Sequence, residues 1–539
     1  MKARSLALVA VVGVLLLALV TTLPSGAQAP AGAAKLGKVT FPVSCNAAAQ
    51  KEFETSVAYY HSFDWVQVKA SLDRVLQADP SCGMANWGHA LALLDNPFVW
   101  PANLSPKVLA DGQAQIDAAR AAGLKTQRER DYVDALAVFF KDADKLNHRT
   151  RATALEAAMQ AVAVKYPEDT EATILHSLVL SATFDPADKK YTNQLKAAKT
   201  LEPIFAKQPQ HPGVAHYLIH SYDYPPIASQ GLGAARRYAS IAPDAAHAQH
   251  MPSHIFTRVG YWKDSVESNR QSARVDRDRT SQSPHAYDYM VYAQLQLGQD
   301  KAAAETVAHS VSVSNKVDNF AAAYAYGAMP ARLLLERGLW AEAAKLPLVP
   351  AADAYPWKKH PQAEALNAFA RGIGAAMSGD AAAAGVEVAR LQALRDAAKE
   401  MKINYWVDQI DIQAEVVRGL ASIAGGKKDE GLATLRAAAD REDATEKHVV
   451  TPGLLVPARE MLALVMLNDA KAAEALRGYE TVLTKEPNRY RAFAGAMQAA
   501  EKTGDAKKAA FFAERLLEQT AAADSQRPEM AQARKVLGR

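Results

Sequence analysis

The sequence predicts an all-α fold built from consecutive pairs of antiparallel helices. No stretch alternates apolar and polar residues for long enough to indicate a β-sheet. Alanine, leucine, glutamate and lysine dominate the 539 residues, and these residue types favour helices. A glycine-centred motif also recurs, mostly at intervals of about 40 residues. One structural unit is therefore expected to repeat along the chain.

Each occurrence of the motif has a glycine, usually an apolar residue two positions later, and a small residue five positions later. The occurrences include Gly260–Trp262–Ser265, Gly298–Ala303, Gly338–Trp340–Ala343, Gly379–Ala381–Ala384 and Gly504–Ala506–Ala509. The glycine permits a tight turn between two helices, and the small residues let those helices approach closely. A proline ends several units after the second helix, as at Pro80, Pro167 and Pro487.

These units resemble the tetratricopeptide repeat, most specifically in GYWKDSVESNRQSARVD, GLWAEAAKL and ALRGYETVLTKEPNRYRAFAGAMQAAEKTGDAKKAAFFAERLL. The resemblance implies an α-solenoid of tetratricopeptide-like helix-turn-helix repeats, with roughly ten to twelve helix pairs. Such a solenoid presents a concave groove, so we expect a protein or peptide partner. The alternative is an irregular all-helical protein without a regular superhelix.

The N-terminus has the pattern of a secretory signal peptide. Lys2 and Arg4 precede an uncharged apolar run from Leu6 to Val20, and Ala27-Gln28-Ala29 matches a signal-peptidase site. Residues 1–29 are therefore predicted to be removed, leaving an exported protein, periplasmic or extracellular, without a membrane span. The alternative is an uncleaved membrane anchor, although the run is shorter than the about 20 residues that a spanning helix needs.

The rest of the chain is predicted to form two halves. Residues 30–347 form an N-terminal helical-repeat half that includes a histidine-rich segment at 211–288, and residues 363–539 form a C-terminal tetratricopeptide-like half. Residues 348–362, rich in proline and polar residues, are predicted to be a linker or loop. The formal net charge of +4 falls to +2 without Lys2 and Arg4. No basic stripe with interleaved aromatic residues is present, so we expect no nucleic-acid partner.

The two cysteines, Cys45 and Cys82, are predicted to form a disulfide. Cys45 lies just before a predicted helix at 47–61, and Cys82 lies just after another at 65–77. An antiparallel hairpin brings both positions to the same end, and an exported protein meets an oxidising environment. Closing this loop would stabilise the fold by roughly 3–4 kcal/mol. The alternative is two free thiols that do not meet.

The most informative feature is a concentration of histidines. Seven of the fourteen lie between His211 and His285, and several are three or four residues apart, which places them on one helix face. They fall near three predicted helices: His216 and His220 on 213–222, with Asp223 just beyond; His247, His250 and His254 on or just before 252–259; His285 and Asp288 on 284–297. If these helices line the concave face, their imidazoles converge.

Convergent imidazoles predict a transition-metal site, mononuclear or dinuclear. Histidine with one or two carboxylates suits zinc, copper, nickel or iron. The predicted direct ligands are His216, His220, His250 and His254, with His285, Asp223 and Asp288 as further candidates. The carboxylates could instead orient an imidazole from outside the ligand set. His247, next to a loop, is expected to be structural or exposed. The alternative is a buried hydrogen-bonded network without metal.

Three functions are consistent with these features. The first is a binding scaffold whose groove takes a protein or peptide, with a structural or partner-sensing metal. The second is a metal-dependent hydrolase, in which Asp223 or Asp288 would be the base for a metal-bound water. Tyr217 stands where a zinc protease motif HExxH requires glutamate. The third is a periplasmic carrier of copper or zinc.

A wider resemblance covers most of the chain. The block from HPGVAHYLIHSYD through HAQHMPSHIFTRVGYW, together with AYYHSFDW and DPSCGMANWGHA, is similar to exported bacterial tetratricopeptide proteins of unassigned function. It is also distantly similar to the human tetratricopeptide repeat protein 38 family, in which HxxxH and a second histidine-containing helix occur in consecutive repeats. The resemblance implies a fold and an export route, and it carries no established activity.

Overall fold

The computed structural model describes residues 34–101, 104–313 and 316–539, and residues 35–539 form one compact unit. The predicted signal peptide, residues 1–29, lies outside the described residues. The described chain is helical and contains no strand, as the composition predicts. No helix within these ranges is long and apolar enough to cross a membrane.

The helices follow one another with short connections. The first group is α1 Ala47–His61, α2 Trp65–Ala78, α3 Gly83–Leu93, α4 Pro106–Ala121, α5 Gln127–Phe140, α6 His148–Lys165, α7 Thr170–Ala182 and α8 Thr192–Lys207. The middle group is α9 Pro212–Tyr222, α10 Leu232–Ile241, α11 Ala246–His250, α12 Pro252–Arg258, α13 Trp262–Asp276, α14 Gln282–Gln296, α15 Asp300–Ser312, α16 Phe320–Leu335 and α17 Trp340–Ala343. The last group is α18 Pro361–Met377, α19 Ala381–Glu400, α20 Asn404–Ala424, α21 Lys428–Asp443, α22 Ala458–Asn468, α23 Ala472–Lys485, α24 Tyr490–Thr503, α25 Ala506–Gln519 and α26 Pro528–Val536.

Consecutive helices pack against each other in pairs along the chain, so the all-α, tetratricopeptide-like solenoid prediction is confirmed. The motif glycines occupy the turns, and Gly260 and Gly338 have φ of 72° and 67°. This left-handed conformation is costly for residues with a Cβ atom, which explains the glycine in the motif. Near the N-terminus, Cys45 and Cys82 are joined as a disulfide with their Cα atoms 5.2 Å apart.

The apolar core has three parts. The first extends from Leu36 to Phe256, the second from Trp262 to Ala363, and the third from Tyr324 to Ala533. The segment 348–362 contains a short 3-10 turn at Trp357–Lys359, and Tyr355 and Trp357 are buried in the second part. The division into two halves at this segment stays a prediction.

The C-terminal helices return to the middle of the chain. Trp262 Nε1 donates a hydrogen bond to the carbonyl oxygen of Asn488 (2.8 Å), 226 positions away. The backbone N–H of Tyr490 donates to Gln296 Oε1 (2.8 Å). Gly260 lies directly against Pro487, because a Cβ atom at Gly260 would be 2.4 Å from the Pro487 carbonyl oxygen. The repeat array therefore curves until its last helices contact α13 and α14.

The connection between α21 and α22 is held against the middle helices. Arg332 on α16 donates to the carbonyl oxygens of Gly453 and Leu454 (2.7 Å each). Tyr289 on α14 donates to the carbonyl oxygen of Thr451 (3.1 Å). We call residues 446–454 the covering segment, since its Lys447 side chain reaches Asp223 beside the histidine cluster described next.

Candidate metal centre

The histidine cluster lies where the first and second parts of the core meet, on α9, α11, α12 and α14. Every residue of α9 is buried, which holds His216 and His220 inside the protein. Pro252 occupies the first turn of α12, where its missing N–H needs no partner. Because only Met251 separates α11 from α12, His247, His250 and His254 lie along one short helical stretch.

The six histidines form two groups of three. One group is His216, His220 and His247, and the other is His250, His254 and His285; within each, the potential ligand atoms lie within 4.8 Å of one another. The structure therefore brings together all the histidines predicted as ligands. It also adds His247, which was expected to be structural or exposed.

The second group has two ring nitrogens facing each other. His250 Nδ1–H donates to Asn269 Oδ1 (2.6 Å), and the amide of Asn269 is oriented by its own donation to the Ser265 carbonyl oxygen (2.7 Å). His254 Nδ1–H donates to the Asp223 carboxylate (2.8 Å). Both protons are thus on Nδ1, so both Nε2 atoms carry lone pairs, and these atoms are only 3.0 Å apart.

Both of these rings are neutral. Burial lowers the pKa of His250 well below 6.5, and His285 and His254 lower it further. Burial also lowers the pKa of His254, an effect that Asp223 opposes without reversing it. Two neutral rings with facing lone pairs repel each other unless a cation lies between them. Neutral imidazole is also the form that binds a metal.

The first group also has an Nε2 lone pair directed at a neighbouring histidine. His216 Nδ1–H donates to the carbonyl oxygen of His61 (2.7 Å), which leaves its Nε2 lone pair 3.2 Å from His247 Nε2. His220 is 5% exposed, and neither of its ring nitrogens has a hydrogen-bond partner among the described residues. An unpartnered buried polar group costs about 1–3 kcal/mol. A metal ion in this group would satisfy it.

The predicted carboxylates lie outside the two groups. Asp223 accepts from His254, from Arg258 Nε (3.0 Å) and from Lys447 Nζ (3.2 Å) on the covering segment. Burial raises the pKa of Asp223, but the cations and His254 outweigh this and hold it well below 3.8. Asp223 therefore has the orienting role that the sequence left open. Asp288 instead pairs with Arg332 (3.0 Å) and belongs to neither group.

A third group, His61, Glu171 and His211, was not predicted and is of a different kind. Glu171 bonds His61 Nε2 (2.9 Å) and His211 Nε2 (2.6 Å). His61 Nδ1 bonds the Tyr217 hydroxyl (2.8 Å), and His211 Nδ1 accepts from the Val214 N–H as the cap of α9. Every ring nitrogen has a partner, so this group is a satisfied hydrogen-bonded network. It supports the centre through the His61 carbonyl oxygen that orients His216.

The centre has an aromatic wall and one more open side. Phe98 stacks on His220 with ring centroids 4.0 Å apart, and Phe63 stacks on His247 at 5.4 Å. His247 and His285 are half-buried, whereas the other four histidines are buried. Of the six, these two rings are therefore the nearest to solvent.

The comparisons with known proteins do not identify a family for this chain. No family model matches the chain, and no curated protein does. Among solved structures, the chain is similar to one described as Naa15/Naa10 bound to HypK-THB, at 11% sequence identity and a TM-score of 0.25, covering 90% of this chain and 78% of that one. A similarity this low carries no argument about function.

Proposed function

We propose that this protein is a metalloprotein, in which a tetratricopeptide-like helical scaffold holds transition-metal ions on six histidines. The observation that carries the proposal is the pair of Nε2 atoms of His250 and His254, 3.0 Å apart with both Nδ1 protons already committed. A metal ion bound by both lone pairs turns this repulsion into coordination.

The alternative of a hydrogen-bonded network without metal fits the six histidines poorly. In a network, each buried ring nitrogen finds a donor or acceptor, as the His61–Glu171–His211 group illustrates in the same molecule. His220 has no such partner among the described residues. Fixed Nδ1 protons and free Nε2 atoms are instead the arrangement of metal ligands with orienting outer partners.

The hydrolase and carrier alternatives are less well supported. Asp223 is shared by His254, Arg258 and Lys447, and Asp288 is paired with Arg332, so neither carboxylate is free to act as a base. A carrier must release its metal, whereas four of the six ligands here are buried. Export and a protein or peptide partner stay predictions from the sequence.

Elemental analysis of the untagged protein tests this proposal. We expect at least one equivalent of copper, zinc or iron per chain, and less metal in the variant His216→Ala/His220→Ala, because that variant removes two ligands of the first group and leaves the second group intact. His309→Ala is the matched control, because His309 is half exposed and lies outside all three groups. If the double variant fails to fold, as judged by circular dichroism, His247→Ala at a half-buried position replaces it. Wild-type protein without metal, even after reloading, would contradict the proposal.

A further inference from the structure

The two three-histidine groups repeat one arrangement. In each, two histidines four residues apart come from one helical stretch, and a third comes from a helix further along the chain, with one helix in between: His216 and His220 with His247, then His250 and His254 with His285. Each group supplies three imidazoles and leaves coordination positions for another ligand. The two groups are therefore equivalent half-sites, and neither contains a carboxylate.

The half-sites are adjacent. The rings of His247 and His250 have centroids 6.0 Å apart, and those of His220 and His254 are 6.2 Å apart, although each pair belongs to different groups. Imidazole binds a transition metal at about 2.0–2.1 Å from nitrogen. Ions in neighbouring half-sites would then be close enough for one small ligand to touch both, as in two-metal sites with ions about 3.5–4 Å apart.

We propose that the two half-sites bind two copper ions as one coupled binuclear centre, and that its ligand is dioxygen. This inference rests on the proposed function. Imidazole suits copper, and Cu²⁺ has the highest affinity of the divalent first-row metals for such donors. Six neutral nitrogen donors without a carboxylate add no negative charge to the site, which favours the singly charged Cu(I) over Cu(II). The Asp223 carboxylate reaches the centre through its hydrogen bond with His254.

The chemistry balances with two copper ions. Each Cu(I) gives one electron to the same dioxygen molecule, so two Cu(I) become two Cu(II) and dioxygen becomes peroxide bound between them. The O–O double bond becomes a single bond and is not broken, and no proton is taken up. A single half-site has only one electron to give, so the two-electron step requires both groups. The Phe63 and Phe98 rings beside His247 and His220 give this small apolar ligand an apolar wall.

Oxygen uptake by the Cu(I)-loaded full chain tests the inference. The protein is loaded with Cu(I) under nitrogen, freed of unbound copper and mixed with oxygenated buffer in an oxygen electrode. We expect two coppers per chain and one dioxygen consumed per two coppers within the mixing time. The Cu(II) electron paramagnetic resonance signal should be small, because the two unpaired spins couple.

Variants at the two half-buried ligands separate the half-sites. His285→Ala and His247→Ala each remove one ligand from one group. Each variant should retain about one copper and take up oxygen at least tenfold more slowly than wild type. When loaded with Cu(II) instead of Cu(I), each should give the full paramagnetic signal of one uncoupled copper. His309→Ala, outside the centre, should behave as wild type. Two coppers bound without fast uptake, or with two uncoupled signals, would overturn the inference while leaving the metal site intact. Protein that binds zinc or iron but no copper would overturn the inference alone, and protein that binds none of the three would overturn the proposed function as well.

Discussion

The role of Asp223 gives a prediction that separates metal binding from folding. Its carboxylate accepts from His254 Nδ1 at 2.8 Å, from Arg258 at 3.0 Å and from Lys447 at 3.2 Å, and its side chain is 2% exposed. The change Asp223→Asn keeps the shape and removes the negative charge. His254 then loses its charged partner, and Arg258 and Lys447 lose the anion that compensates their burial.

Asp223→Asn is expected to change both the metal affinity and the stability of the protein. Loss of a carboxylate that orients a ligand histidine lowers metal affinity by about 10–100-fold. Loss of one partner from a buried ionic group costs about 3–5 kcal/mol of the free energy of unfolding. The double variant Asp223→Asn/Lys447→Met removes one of the stranded cations, so it should recover part of the stability. Its metal affinity should stay low, because His254 still lacks the carboxylate.

Chelator competition with zinc, a redox-silent probe, gives the affinity, and urea unfolding of the metal-free protein gives the stability. Asp318→Asn is the control, since Asp318 is 36% exposed and pairs with Lys359 and His360 away from the centre. It should change neither quantity by more than about 1 kcal/mol. Zinc affinity within twofold of wild type in folded Asp223→Asn protein would refute the orienting role of Asp223.

Three further predictions concern the scaffold. Burial raises the pKa of Glu442 to about 8, so the folded protein keeps a proton that the unfolded chain loses near pH 4.5. The free energy of unfolding should therefore fall by up to about 4 kcal/mol as the pH rises from 4.5 to 8. Urea unfolding at pH 5 and pH 8 should show a smaller fall in the variant Glu442→Gln. The disulfide closes a loop of 37 residues, so Cys45→Ser/Cys82→Ser should lose about 4 kcal/mol, and an unchanged melting temperature in the variant would contradict this. Gly260→Ala should destabilise the protein much more than Gly504→Ala, because both have positive φ but only Gly260 abuts the Pro487 carbonyl oxygen. Gly504→Ala should lower the free energy of unfolding by about 1–2 kcal/mol. Equal falls in melting temperature for the two variants would show that the contact between α13 and the C-terminal helices is unimportant.

Local features of the structure could be predicted from the sequence. The helix expected at 213–222 is Pro212–Tyr222, and the one expected at 252–259 is Pro252–Arg258. Both begin with proline, and glycine or asparagine marks many turns, so the signals for these elements lie within a few residues of them. The four-residue spacings also predicted which histidines share a helix face.

The remaining features depend on contacts between distant parts of the chain. His247 joins the first group because its ring reaches His216 on α9, 31 positions earlier, and its position near a loop concealed this. Glu171 bonds His61 across 110 positions, and Lys447 reaches Asp223 across 224. Asp288 has the spacing of a ligand, yet Arg332 takes its carboxylate. No local pattern encodes such pairings, because they arise from the curvature of the repeat array.

Anomalous X-ray scattering from crystals of the copper-loaded protein tests the binuclear centre most directly. Two anomalous peaks per chain are expected, one about 2.0–2.1 Å from ring nitrogens of His216, His220 and His247, and the other equally close to those of His250, His254 and His285. No peak at these six histidines, or a peak only at His61, Glu171 and His211, would contradict it.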